Sequence, residues 1–188
     1  MKRLEPDAAA GRKSLWMATA ALPLYPMLAA DERADVCVVG AGIAGLTTAY
    51  LLAREGKSVV VLDDGEIASG MTRYTTAHLS NAIDDRYIEI ERLHGEDGAR
   101  LAAQSHRAAI DRIERAVLDE EIDCDFRRVD GLLFLAGGHD ESLLQRELEA
   151  AHRAEVEVEL LASAPAGSVM SGPCLRFAHQ ARFHPLKY

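Results

Sequence analysis

Gly40-Ala-Gly42-Ile-Ala-Gly45 stands between the apolar run Val36-Cys-Val-Val39 and a stretch of helical character, and Asp63 closes a second apolar run, Val59-Val-Val-Leu62. Residue types in that order specify a strand, a tight turn, a helix and a second strand. The first glycine permits the turn, the second lets backbone N–H groups approach a pyrophosphate, and the third lets helix and strand pack closely. Phosphates would then rest at the positive helix N-terminus, with Ile43 and Ala44 inside the cofactor-binding set. This is the outline of a dinucleotide-binding βαβ unit.

The motif alone is weak evidence, because 14 glycines in 188 residues make chance matches easy. Its surroundings strengthen it. Ala49 lies four residues after Gly45 on the face that a helix would turn toward the sheet, and Gly56 stands where that helix should end. Asp63 is eighteen residues beyond Gly45, near the position expected for a carboxylate that holds an adenosine ribose. A 2′-phosphate beside that carboxylate would meet Coulombic repulsion, which disfavours NADP and leaves NAD and FAD. Asp64 competes for the same role, although its place next along the strand should turn it the other way.

The segment Ile67-Ala-Ser69-Gly-Met-Thr72-Arg73-Tyr-Thr75-Thr76-Ala-His78-Leu is rich in small hydroxylated residues. An NAD-type domain would more often run into its next helix here. Hydroxyls and free N–H groups on an irregular segment suit a ribityl-pyrophosphate chain and the polar edge of a flavin, so FAD is favoured. A surface loop that closes its own turns with Ser and Thr has the same composition.

Three stretches carry a family resemblance: Ala34 to Leu52 around the glycine motif, Ser69 to Leu79, and Cys124-Asp-Phe-Arg-Arg-Val-Asp-Gly-Leu-Leu-Phe134. They resemble the FAD-dependent oxidoreductases of the D-amino-acid oxidase and glycine oxidase superfamily. Within it, the Ser14-Leu-Trp-Met-Ala-Thr19 leader and the Thr-Thr-Ala-His-Leu segment are most similar to the bacterial branch that carries a C-terminal Rieske [2Fe-2S] domain. The resemblance implies that Gly40, Gly42 and Gly45 bind the FAD pyrophosphate and that Asp63 binds the adenosine ribose. It also implies that the Ser69 to His78 loop lies along the flavin, with Thr72, Thr75 and Thr76 as the first choices for contact and His78 and Arg73 behind them. The family often has glycine just after Thr72, where this chain has Arg73 and Tyr74.

The expected architecture is α/β: an N-terminal arm over residues 1–30, a Rossmann-like FAD-binding portion over 31–122, and the beginning of an α+β substrate domain over 123–188. Members of the superfamily run to several hundred residues, so this chain reads as an N-terminal portion that lacks a C-terminal part and any Rieske domain. Rieske ligands would read Cys-x-His and then Cys-x-x-His, and none of Cys37, Cys124 or Cys174 is followed by histidine at either spacing. The implied chemistry is transfer of a hydride, or its equivalent, from an amine-bearing carbon of an amine or amino-acid-like substrate to the flavin. No catalytic residue is named, because the family's substrate-gripping groups mostly lie in the part absent here. An NAD-dependent dehydrogenase module and a non-catalytic fragment with weak or no cofactor binding are the alternatives.

Composition narrows the partners. With 21 basic and 30 acidic residues the formal charge is −9, which argues against nucleic acid and gives anionic membranes little to attract. Seven histidines are scattered without the i, i+4 spacing that puts two metal ligands on one helix face, so no metal site is expected. Three unspaced cysteines offer no disulfide framework, and a cytoplasmic location is expected. Cys37, alternating with valines, reads as a small buried hydrophobe, and Cys124, between Asp123 and Asp125, as a blunted thiol.

Gly11-Arg-Lys13 followed by the apolar stretch to Ala30 has the outline of a secretory signal. Two prolines break it and the first strand follows almost at once, so the preferred reading is an ordered arm with Trp16 and Tyr25 packed on the domain. Further on, helices are expected over Asp84 to Leu93, Ala99 to Leu118 and Ser142 to Glu155. Phe126 to Val129 and Leu132 to Leu135 are expected to form a hairpin about Asp130-Gly131, Val156 to Leu161 a strand, and Pro173 to Phe183 a strand pair.

Overall fold

The computed structural model describes residues 13–135, 142–168 and 170–188; the first twelve residues of the expected arm, and His139, lie outside them. The chain forms two compact units. One comprises the described part of Met1–Thr76 together with His184–Tyr188, and the other Ala77–Phe183.

The first unit begins with a short helix, α1 (Leu15–Thr19), whose start is capped by Ser14 Oγ accepting from the Met17 N–H at 3.2 Å. Strand β1 (Val36–Val39), helix α2 (Ile43–Arg54) and strand β2 (Val59–Leu62) then form a βαβ unit with the two strands parallel. Gly56 follows the helix as expected. Its N–H donates to the Ala53 carbonyl while the Lys57 N–H reaches back to Leu52, the paired bonds that close a helix and turn the chain into β2. A single 3-10 turn covers Met71–Tyr74 inside the hydroxyl-rich segment.

Two expectations for this unit need correction. Cys37 is exposed, and Val39 beside it on the same strand face is 84% exposed. The side chains of Val36 and Val38 are the better covered members of the alternation, because α2 packs on one face of the two-stranded sheet and no described element of this unit covers the other. Tyr25 is 71% exposed, so of the two aromatic residues in the arm only Trp16 packs.

The second unit is an antiparallel sheet with two helices. Its central strand, β6 (Cys174–Arg182), pairs along one edge with β4 (Arg127–Phe134). Along the other edge it pairs first with β5 (Val158–Leu161) and then with β3 (His78–Leu79). Pro173 to Phe183 is therefore one strand rather than a pair. Nor do Phe126 to Leu135 form a hairpin: both halves of β4 pair with β6, not with each other.

The pairing explains Asp130-Gly131. Val129 lies opposite Gln180 and Gly131 opposite Phe177, so β6 carries one extra residue, and His179 there adopts φ +60°. A Cβ on Gly131 would lie 3.1 Å from Gln180 Cγ. The glycine marks a close approach of two strands at a bulge, not a turn.

Helix α3 (Arg86–Asp119) is two helical arms joined at Gly95, whose φ of 72° and ψ of 173° break the helical path between the two segments expected from the sequence. Helix α4 (Ser142–Arg153) packs on it through Ala99, Ala103, Ala150 and Ala151, small residues that let the backbones approach. Tyr87, Leu144, Leu175 and Phe177 fill the space between helices and sheet.

At the centre of this core sits a carboxylate, Glu147, only 1% exposed. Its oxygens accept from the N–H groups of Tyr87 at 2.8 Å and Ile88 at 3.1 Å, closing the first turn of α3, which its own N-cap residue Asp85 leaves uncapped. Burial pushes the Glu147 carboxyl up, against the two amides and the Arg86 guanidinium that pull it down. The native state therefore holds this proton to higher pH than the unfolded chain does, and stability falls as pH rises from the ordinary glutamate range to the raised value. Glu147→Gln should lose that slope and, by leaving an amide without a proper acceptor, about 1–3 kcal/mol of stability near neutrality. Urea denaturation of both proteins across pH 4 to 8 checks both expectations; a variant with the parent's pH dependence would contradict the assignment.

Candidate functional site

Parallel pairing decides the geometry of the glycine loop. Val39 lies opposite Leu62, and the Gly40 N–H donates to the Leu62 carbonyl at 2.7 Å, so the next residue, Asp63, comes level with the loop. Its Oδ2 accepts from the Ala41 N–H at 2.6 Å and its Oδ1 from the Gly65 N–H at 2.9 Å. These amides, Ala41 first, hold the exposed carboxyl below the usual carboxylate range, so it is an anion at neutral pH.

Two glycines are required by this backbone. Gly40 adopts φ +104°, a region that L side chains rarely enter, and a Cβ on Gly45 would sit 1.9 Å from the Gly40 carbonyl oxygen. Gly42 is the N-cap of α2 and has no side chain to close the helix. A hydroxyl from elsewhere does part of that work: Thr72 Oγ1, on the 3-10 turn, accepts from the Ile43 N–H at 3.1 Å. The N–H groups of Gly42, Ala44 and Gly45 have no hydrogen-bond partner among the described residues.

Gly40, Gly42, Ile43, Gly45, Asp63 and Thr72 are thus brought together by direct bonds and close contacts, with Ala44 exposed beside them. Asp64 is exposed one residue further on. Ser69 is half-buried, its N–H on the Glu66 carbonyl. Arg73 is turned into its own loop, with Nε on the Ala68 carbonyl at 3.2 Å and a terminal nitrogen 3.4 Å from Glu66. The Thr75 carbonyl accepts from the Trp16 indole at 2.8 Å, and Thr76 is exposed. His78 belongs to the second unit, where it is exposed on β3 opposite Arg182. In that unit Arg128 is committed to Asp111, Glu114 and the His179 carbonyl. Cys124 is buried, and burial first, then Asp125 and Asp123, raise its thiol pKa, blunting it as expected.

Sequence reasoning missed Ala41 and Ala68. Both are buried, and the Ala68 N–H donates to the Ala41 carbonyl at 2.9 Å, which fastens the hydroxyl-rich segment to the glycine loop. Alanine carries no chemical signal, and only the fold reveals this contact.

A family model described as "DAO: FAD dependent oxidoreductase" matches residues 35–188. The chain belongs to the FAD dependent oxidoreductase family. It is 34% identical over 178 residues, 94% of its length, to the "Putative Rieske 2Fe-2S iron-sulfur protein YhfW" of Bacillus subtilis (strain 168), and spans 34% of that protein. It is 36% identical over 102 residues to the "Gamma-glutamylputrescine oxidoreductase" of Escherichia coli (strain K12), covering 54% of this chain and 24% of that one. Among solved structures, L-amino acid deaminase from Proteus vulgaris superposes with a TM-score of 0.67 at 18% identity, over 88% of this chain and 42% of that one. The fold is therefore α/β and shared with that L-amino acid deaminase, and the chain spans about a third or less of the curated relatives it matches.

FAD is the cofactor of this oxidoreductase family, and the loop fits it on physical grounds. Unpartnered amides converge at a helix N-terminus where only glycine allows the backbone to close up, which suits a pyrophosphate. Gly45→Ala tests that packing: its Cβ would meet backbone rather than a flexible side-chain end, so the loop must move. A loss of about 2–3 kcal/mol is expected, read from the urea midpoint. A variant as stable as the parent would show that the close approach is not needed.

Proposed function

We propose that this chain is the FAD-binding portion of an oxidoreductase that acts on an amine or amino-acid-like substrate. The observation that carries the reading is the set of free amides at Gly42, Ala44 and Gly45, facing outward from α2 and flanked by an ionised Asp63. In this reading the βαβ unit is Rossmann-like. Gly40, Gly42, Ile43, Ala44 and Gly45 receive the pyrophosphate, Asp63, with Asp64 beyond it, receives the adenosine ribose, and Ser69, Thr72, Arg73, Thr75 and Thr76 line the path of the flavin. Asp63 accepts from two amides yet keeps carboxylate lone pairs for ribose hydroxyls.

When bound, FAD supplies the electron-accepting ring. The protein's part is to bind it, orient it and keep it in place. An amine or amino-acid-like substrate is supported by the similarity to gamma-glutamylputrescine oxidoreductase, and an iron–sulfur electron acceptor by the similarity to a protein named as a Rieske protein. The roles partition at residue 122, with cofactor binding before it and the start of the substrate domain after it. The three cysteines are unpaired, which suits a reducing compartment, and we assign the cytoplasm. No helix among the described residues is long and apolar enough to cross a membrane.

Incubation with excess FAD, removal of free cofactor and an absorbance spectrum test the reading. The parent should retain flavin bands. Gly42→Asp, which sets a negative side chain where phosphate would rest, should weaken retention about a hundredfold or more. A folded parent that stays colourless, or that retains NAD in place of FAD, would overturn it.

A further inference from the structure

The notion of an N-terminal arm lying passively on the domain does not account for what α1 touches. The Trp16 indole N–H donates to the Thr75 carbonyl at 2.8 Å, just past the 3-10 turn that carries Thr72. The same indole and the His184 ring pack in a T-shaped arrangement, with centroids 4.9 Å apart and planes at 67°. One turn later Thr19 Oγ1 lies 2.9 Å from His184 Nε2.

The hydrogen-bond directions in this group are determined. The Leu186 N–H can only donate, so His184 Nδ1 at 3.3 Å accepts, which puts the ring proton on Nε2. Nε2–H then donates to Thr19 Oγ1, whose own proton goes to the Leu15 carbonyl at 2.6 Å. A five-residue helix capped by Ser14 is thus pinned on one side to the segment after Thr72 and on the other to the chain's final turn. His184 is buried, while the Trp16 to Thr75 bond lies at the surface.

We propose that Trp16 is a positioning residue: α1 is a clamp that holds residues 71–76 in register with the glycine loop, and through them sets the environment of the flavin. The inference rests on the FAD reading above for its second half only. Thr72 is the link. Its hydroxyl reaches the Ile43 N–H from the 3-10 turn, and that turn is held from one side by the Ala68 to Ala41 bond and from the other by Trp16. Removing the indole N–H deletes the bond to the Thr75 carbonyl while leaving every contact of Thr72 chemically possible.

Trp16→Phe keeps a flat ring against His184 and deletes the donor. In the FAD-free chain, amide hydrogen exchange over residues 71–76 should quicken about fivefold, as for loss of one ordinary hydrogen bond, while exchange in β4 and β6 stays at parent rates. In the FAD-loaded chain, affinity should fall by a similar factor, and the visible flavin band should shift or lose its vibronic structure. Thr19→Val cuts the other end of the clamp and should move the same signals in the same direction if Trp16→Phe proves too unstable to study.

Unchanged exchange over 71–76 in both variants would overturn the clamp whatever happens to FAD. Faster exchange with an unaltered flavin spectrum and affinity would overturn the coupling to the flavin. A parent that fails to retain FAD would defeat the functional reading and with it the coupling, while the exchange rates would still decide the clamp.

Discussion

The Gly40 carbonyl oxygen occupies the place where a side chain at residue 45 would be, 1.9 Å from its Cβ, and the first unit depends on that vacancy. Because the turn can close so tightly, α2 starts directly above the end of β1, and its free amides face the point where β2 also ends. The same closure brings Ala41 within reach of Asp63, so the acid that follows β2 is tied to the loop that follows β1. Every later feature of the site, including the Thr72 hydroxyl on Ile43 and the Ala68 amide on Ala41, is built against this fixed loop.

Much of this was legible because it is local. The glycine spacing, the Schellman closure at Gly56 and the acid at residue 63 each depend on a chain segment no longer than one βαβ unit, where residue type and spacing determine geometry. Thr72 could be singled out by its hydroxyl, but its bond to the helix start could not, because nothing in the sequence specifies how a 3-10 turn will lie. Asp130-Gly131 illustrates the opposite case. Asp-Gly between apolar runs marks either a two-residue turn or a glycine under a facing strand, and the choice was made by β6, more than forty residues away. Cys37 was misread for a related reason: alternation reveals that a strand has two faces, but not whether both will be covered.

The polar groups buried in the second unit were the least legible. Asn81 and Gln180 exchange bonds between their side chains and from the Asn81 N–H, both at 2.6 Å, across 99 residues of sequence, and the Tyr87 hydroxyl donates to the Asn81 carbonyl at 2.6 Å. An isolated glutamate, asparagine or glutamine on a helix or strand reads as solvent-facing, since such residues are mostly exposed. Here each is satisfied by a partner that only tertiary structure provides, and their cost is offset by the bonds they close.

The two units treat the same physical problem in opposite ways. A helix begins with amides that its own backbone cannot satisfy, and the aligned peptide dipoles make that end attractive to an anion. In the second unit the acceptor is part of the protein: the Glu147 carboxyl is carried in from α4, buried, and closes the start of α3 with two bonds. At α2 the chain supplies only a neutral hydroxyl, from Thr72, and places its nearby carboxylate to one side, on Ala41 and Gly65 rather than on the helix. Three amides are left over. A helix start that served stability alone would be closed as α3 is, at a gain of about 1 kcal/mol per bond. The start of α2 instead keeps its donors open beside a glycine-only approach, and in the proposed reading the anion it receives is a pyrophosphate.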